Sequence, residues 1–366
     1  MMQEWSKKNQ FNSFNSWKGL LYGRWYMKIR QKSFLPPIEA SLDPIHQCNL
    51  SCEHCNAHRY LKNDKNTRMP DKHIIGLITF LKNWGVKAVC FGGGGEPSIH
   101  SFLPKAIHHT RKVGMHAAVA TNGTILNEEL KNAYARCRWV GISVDSATPE
   151  TYLKAKKQDF FQQVLINLSG LVKIIRDEKS DCELAYKFLI MPYNQHEIYQ
   201  ACKLAKDLGV KDFHARPADY SHQGMGEIKK KTNEYNIPLI LEQFEKCREL
   251  ETDTFRVFTV MHKFNDDLRP KKDFTQCYAS PICIQLCADG NVYLCPDQRH
   301  KEFYKLGTHY PNPENILNFW GKEKHQELVF KSGCSNCDTR CTFTPYNEQC
   351  EKLYIKNADP MCWRFV

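Results

Sequence analysis

Between Pro36 and about Asp219, short runs rich in Val, Ile, Phe and Ala alternate with longer stretches in which apolar residues recur every three or four positions. Short apolar or alternating runs predict strands, and the longer 3.6-residue period predicts amphipathic helices. Strands are expected at 38–45, 86–91, 115–120, 139–145, 184–190 and 211–217, and helices from Pro70 to Trp84, 101 to 113, Asn127 to Arg136, Phe160 to Ile175 and Gln195 to Leu208. Strand and helix alternating in this way is the signature of parallel strands joined by crossover helices. Six such units predict an α/β fold, a partial (β/α)6 TIM-like barrel rather than eight closed units.

The pattern weakens on either side. Residues 1–35 form a basic, aromatic extension with Phe14, Trp17 and Leu21 at helical spacing. Such a stripe suits packing on the chain's own domain better than contact with a membrane surface. Residues 36–219 are the barrel. Residues 220–276 connect, completing the barrel side with a helix from Ile237 to Leu250 and a strand at 255–260. Residues 277–366 are loop-rich and dense in cysteine, as expected of a small domain folded around metal rather than a large apolar core.

Composition narrows the class. The chain has 366 residues, 42% hydrophobic and 25% charged, which is ordinary for a globular protein. No apolar run approaches the roughly 18 residues of a membrane span, and MMQEWSKKNQ lacks the apolar core of a signal peptide, so a cytoplasmic location is expected. The net charge of +11 is spread, with 229-KKK-231 the only tight run. That distribution suits a solvated surface or a substrate with an anionic group. No basic and aromatic alternation recurs, so nucleic acid is not indicated.

Seventeen cysteines are many for a chain in a reducing compartment, where metal explains them better than disulfides. Cys90, Cys137, Cys182, Cys202 and Cys247 are scattered singly and read as small core residues. Nine fall between Cys277 and Cys362, and three stand in 48-CNLSCEHC-55, directly after the first predicted strand and with no fourth nearby. Three thiolates on a four-iron cubane leave one iron open, where a small molecule can chelate and receive an electron. In a barrel of this kind the loops after the strands carry the chemistry.

The Cys48-x3-Cys52-x2-Cys55 loop resembles the hallmark of the radical S-adenosylmethionine (SAM) superfamily. The second strand runs into 92-GGGGEP-97, which matches the family's GGEP motif at Gly94, Gly95, Glu96 and Pro97. Glycines there let the backbone approach a ligand. The resemblance implies a [4Fe–4S] cluster on Cys48, Cys52 and Cys55 whose open iron is chelated by SAM, reductive cleavage to a 5′-deoxyadenosyl radical, and hydrogen abstraction from a substrate C–H bond. It further implies SAM contacts from Thr121 and Asn122 after the third strand and from Ser143 and Asp145 after the fourth. A basic residue beyond the fourth strand is expected on the SAM carboxylate, and Lys154, Lys156 and Lys157 are all available. His54 stands where the family usually has an aromatic residue, and its ring could still lie beside adenine.

The spacing Cys277-x5-Cys283-x11-Cys295, with Gly290 before the last, resembles the opening of the SPASM extension, which carries auxiliary [4Fe–4S] clusters. The run 334-CSNCDTRC-341, then Cys350 and Cys362, departs from the extension's usual spacing after its first pair. By analogy one auxiliary cluster is expected on Cys277, Cys283, Cys295 and Cys350 and another on Cys334, Cys337, Cys341 and Cys362. Cys287 is left over as a core thiol, a swapped ligand or a hydrogen donor. Half of a zinc ribbon at 334-CSNC-337 would leave the Cys277–Cys295 pattern unexplained. Asp297, Arg299, His300, His214, Arg216 and Asp219 are candidates for the substrate cavity, as acid, base or anion clamp.

Since only 47 residues precede Cys48, less than peptide-maturing relatives commonly carry, a small molecule such as a sugar or aminocyclitol is the expected substrate, undergoing oxidation, epimerisation or rearrangement. A maturase of a ribosomal peptide is the alternative, and a non-catalytic iron–sulfur electron carrier the reading from another class. A reductant such as flavodoxin or ferredoxin is the implied partner.

Overall fold

A computed structural model describes residues 16–57, 61, 66–218, 220, 231–261, 263–264, 272–337 and 341–356. The predicted strands appear as β1 Glu39–Leu42, β2 Ala88–Phe91, β3 His116–Thr121, β4 Trp139–Ser143, β5 Glu183–Ile190 and β6 Asp212–Pro217. The helices between them are α2 Asp71–Trp84, α3 Leu103–Lys112, α4 Glu128–Ala135, α5 Pro149–Lys156, α6 Phe161–Asp177 and α7 Ile198–Asp207, preceded by α1 Gly23–Arg30 and followed by α8 Ile237–Glu249. α2 shows how local signals set these limits. It starts after Pro70, buries Ile74, Leu77, Ile78 and Leu81, and stops at Gly85, whose φ of 116° only glycine adopts cheaply. Burying each of those side chains contributes about 2 kcal/mol, and Leu77→Ala would forfeit that and leave a cavity besides.

The sheet is larger than the six-strand expectation. Its order is β10-β9-β8-β1-β2-β3-β4-β5-β6-β7, where β7 is Arg256–Thr259, β8 Cys283–Leu286, β9 Asn291–Tyr293 and β10 Lys305–Thr308. β7 joins β6 in parallel at one edge, and β8 joins β1 in parallel at the other, pairing Glu39 with Cys283 and Leu42 with Leu286. The cysteine-rich region therefore continues the barrel sheet instead of standing apart from it. The partner of β8 lies more than 240 residues away, so local pattern reading had no access to this pairing.

Side chains alternate across the strands. Phe91, Val119, Ile142, Tyr186, Phe188 and Phe213 point to the helices and are wholly buried. Their neighbours Cys90, Ala120, Ser143, Lys187, His214 and Arg216 therefore face the concave side.

The N-terminal segment packs on the protein, with Leu21 of the predicted stripe outside the contact. Tyr26 and Ile29 are buried, whereas Leu21 is 80% exposed and Phe14 lies outside the described residues. α1 and the turn before it meet the C-terminal helix α9 (Thr344–Cys350) and the turn beyond it, with Tyr22 6.0 Å from Tyr346 and Tyr26 5.3 Å from Tyr354, ring to ring. Of the scattered cysteines, Cys137, Cys182, Cys202 and Cys247 are buried as expected, and Cys90 is partly exposed on the concave face.

Candidate active site

The loop 48–55 is held from three sides. Glu96 N donates to Gln47 O at 2.8 Å, and a Cβ on Gly95 would stand 2.2 Å from that same carbonyl, so only glycine lets the two turns meet. From β3, Asn122 Nδ2 donates to Asn49 Oδ1 (2.9 Å), while Asn49 Nδ2 donates to Thr124 Oγ1 (2.8 Å). From the end of α5, the carbonyls of Lys156 and Ala155 accept from Ser51 N and Glu53 N. Cys48, Cys52 and Cys55 are thus carried on a braced loop at the C-terminal ends of the strands.

Glu96 is buried and already well satisfied. Its carboxylate accepts from Ser98 N (3.0 Å), Thr121 Oγ1 (2.6 Å) and Asn122 N (2.7 Å). Burial pushes its carboxyl pKa up, and these donors pull the other way. The side chains of Glu96, Thr121 and Asn122, expected to touch SAM, are therefore engaged in bracing the site, with the backbone of Gly94 and Gly95 beside them.

At the end of β4, Asp145 adopts a φ of 62° and is fully buried. Lys156 Nζ donates to Asp145 Oδ2, His54 Nε2 stands 3.4 Å from the same oxygen, and Leu189 N donates to Oδ1 at 2.7 Å. Burial alone would push this carboxyl up, but the Lys156 ammonium and His54 hold it well below the usual carboxylate range. Of the three candidate lysines, the structure brings Lys156 to the site. Lys154 lies 4.4 Å over the Tyr193 ring and Lys157 pairs with Glu53 at 3.6 Å. Asp145 and His54, expected on SAM, are in contact with each other, and Asp145 with Lys156. The sequence reading missed α5, which places Lys156. Its signal was Thr148-Pro149-Glu150, a capping threonine followed by proline at the first helical position.

From the C-terminal region, Arg299 reaches across to the barrel. Its Nη1 donates to Gly93 O at 2.8 Å, Nη2 donates to Gln285 Oε1 at 3.2 Å, and Nε lies 3.4 Å from Asp43 Oδ2. Beside it, His46, Cys287 and His300 bring one donor atom each within 4.8 Å of one another, so Cys287 belongs to a His/Cys group on the strand ends rather than to the tail cysteines. Asp297 points elsewhere, accepting from Thr342 N (2.6 Å) and Oγ1 (2.9 Å). His214 packs edge-on against Phe258, and Asp219 lies outside the described residues.

The Radical SAM superfamily profile matches residues 42–217, from the end of β1 to the end of β6. The chain carries a radical SAM domain. AlbA, the "Antilisterial bacteriocin subtilosin biosynthesis protein" of Bacillus subtilis, is 27% identical over 344 residues, covering 89% of this chain and 69% of AlbA. A "Probable GTP 3′,8-cyclase" of Methanothermobacter marburgensis is 23% identical, over 50% of this chain and 59% of the cyclase, so that match takes in less than two thirds of that protein. Streptococcus suis SuiB, solved with SAM, shares the fold at a TM-score of 0.62 and 14% identity, covering 87% of this chain and 73% of SuiB. SuiB has also been solved with its precursor peptide SuiA.

The radical SAM family binds a [4Fe–4S] cluster and SAM, and the loop fits that group. The Cys48 thiol feels the charges of Glu96, Cys52 and Cys55, and the Cys52 thiol those of Lys156, Cys55 and Asp145. Burial pushes the Cys48 thiol up to about 12 and Cys52 up to about 11, the latter moderated by Lys156, so iron binding must release protons here.

The tail cysteines separate differently from the expected partition. Cys277, Cys295, Cys337 and Cys341 line one cavity, and Cys334 is hydrogen-bonded to Cys277 at its edge. Gln298 Nε2 donates to Cys337 Sγ at 2.9 Å, an N–H aimed at a prospective ligand sulfur. The Cys334 thiol is lowered to about 7, chiefly by its bond to Cys277. Cys283 sits on β8 opposite Glu39, and Cys350 is buried in α9 beside Tyr26. The strand that carries Cys283 pairs with β1, which takes this residue away from the cavity. Cys362 lies outside the described residues.

Proposed function

We propose that this chain is a radical SAM maturase that acts on a ribosomal peptide. The observation that carries the reading is the alignment with AlbA along 89% of the chain, which spans both the barrel and the cysteine-rich region. The small-molecule reading rested on the number of residues before Cys48. The relatives favour the peptide alternative over it.

Cys48, Cys52 and Cys55 would hold the catalytic cluster, and the backbone of Gly94 and Gly95 with Ser143 would face SAM. The bound cluster and SAM supply one-electron cleavage of the sulfonium to methionine and a 5′-deoxyadenosyl radical that removes a hydrogen atom from the substrate. The protein's own residues set the stage. Glu96, Asn122 and the carbonyls of α5 fix the loop, and Lys156, paired with Asp145, lowers the cost of ionising Cys52. Cys277, Cys295, Cys337 and Cys341 would hold one auxiliary cluster, with Gln298 hydrogen-bonding its sulfur.

The test is anaerobic turnover of the reconstituted protein with SAM, dithionite and short peptides encoded beside its gene, followed by mass spectrometry. Formation of 5′-deoxyadenosine in proportion to a mass-shifted peptide is expected. Deoxyadenosine formed at the same rate with every peptide, all recovered unmodified, would sink the peptide reading while leaving the family chemistry in place.

A further inference from the structure

Two cations on the concave face of the sheet stand without a counter-ion among the described residues. Lys187 is in the middle of β5, and Arg216 is near the end of β6. Their strand neighbours Tyr186, Phe188 and Phe213 are packed together on the helix side, which turns Lys187 and Arg216 inward. A Cβ on Gly141 would lie 2.9 Å from Lys187 Cδ and 2.2 Å from the Trp139 ring, so the lysine stem crosses β4 at the one place without a side chain.

Neither cation has a carboxylate at ion-pair distance or a hydrogen-bond acceptor among the described residues, and Arg216 Nε is buried without a partner. The acids nearby are committed, Asp145 to Lys156 and His54, and Asp43 to Arg299. Burial first, and the Arg216 charge second, hold the Lys187 ammonium down to about 8. An uncompensated cation in a half-buried site costs stability. A chain that places two of them on adjacent strands in its catalytic barrel sacrifices stability where a ligand can supply the missing charge.

We propose that Lys187 and Arg216 clamp an oxyanion of the substrate, the carboxylate of an acidic residue or C-terminus of the peptide, on the concave face beside the end of β4. The inference rests on the peptide reading for the source of the carboxylate. A guanidinium takes a carboxylate through two parallel N–H bonds and an ammonium adds a point charge, so the pair fixes both position and orientation. Ser143 is the register partner of Lys187, which sets the clamp beside the end of β4.

The experiment titrates the reconstituted holoenzyme with acetyl-glutamate amide, its uncharged glutamine counterpart, inorganic phosphate and SAM, in wild type and in Lys187→Met, Arg216→Leu and Lys187→Arg. The expected result is saturable binding of the glutamate probe and none of the glutamine probe. Its affinity should fall about tenfold or more in the Met and Leu variants and recover in Lys187→Arg, while SAM affinity stays within about threefold. Thermal unfolding gives a second readout. Removing an unpaired cation should raise the midpoint of the ligand-free protein, whereas a lysine with a merely structural role would lower it. Parallel loss of SAM affinity would overturn the proposal by assigning the clamp to the SAM carboxylate. Equal binding of both amides, or anion binding untouched by the substitutions, would overturn it outright. Phosphate bound through Lys187 and Arg216 with no response to the glutamate probe would support the clamp and remove the peptide as its source.

Discussion

Arg299 donates from Nη1 to the carbonyl of Gly93 at 2.8 Å across 206 residues of chain, and the same guanidinium faces Asp43 Oδ2 at 3.4 Å. Asp43 is the first residue after β1, and Gly93 lies in the glycine turn after β2. One side chain therefore ties the cysteine-rich region to both turns that flank the catalytic loop. A Cβ on Gly93 would stand 2.8 Å from this guanidinium, so the glycine is required for the contact.

Arg299→Ala leaves the buried Asp43 carboxyl, already pushed up by burial, without its cation. A loss of about 3 kcal/mol is expected, measured by denaturant unfolding. Asp43→Asn combined with Arg299→Gln should recover part of it, because no charge is then left buried.

Removing Lys156 takes the ammonium from a carboxylate that is 0% exposed and leaves it with His54 and Leu189 N. Lys156→Met should destabilise the fold by about 3–5 kcal/mol at pH 7. In wild type the Asp145 carboxyl is held below its unfolded value, so its stabilisation is present above about pH 4 and lost only below it. In the variant, burial raises this carboxyl above its unfolded value, so the variant gains relative stability as pH falls. Unfolding curves at pH 7 and pH 5 should show the gap narrowing.

Cys52→Ala should abolish 5′-deoxyadenosine formation and remove about four irons per chain. Cys337→Ala should likewise remove about four irons, those of the tail cavity, whereas Cys283→Ala and Cys350→Ala should leave iron content at the wild-type level. Loss of iron from either of the last two would restore the partition suggested by spacing.

Lys187 offers a test by pH alone. Its folded value is lowered to about 8 from an ordinary 10.5, so the unfolded chain holds the extra proton between those limits. The ligand-free protein should therefore gain stability from this group as pH rises from about 8 to 10.5, and Lys187→Met should lose that rise. Anion binding at the clamp should weaken over the same interval.

The sequence by itself determined the repeated strand–helix order, the loop of three cysteines after β1 and the glycine turn after β2, because each is written in a short stretch whose period or spacing has a direct physical meaning. It placed Glu96, Thr121, Asn122 and Asp145 at the strand ends, and the structure keeps them there. What those side chains bond to was beyond it. Only the tertiary structure decided that Asp145 and His54 meet Lys156, that Arg299 reaches Gly93, and that Cys283 pairs into the sheet while Cys277 joins Cys295, Cys337 and Cys341 around a cavity. These contacts depend on where the chain returns after tens to hundreds of residues, and a hydrogen bond or an ion pair acts through distance in space, which local spacing does not encode.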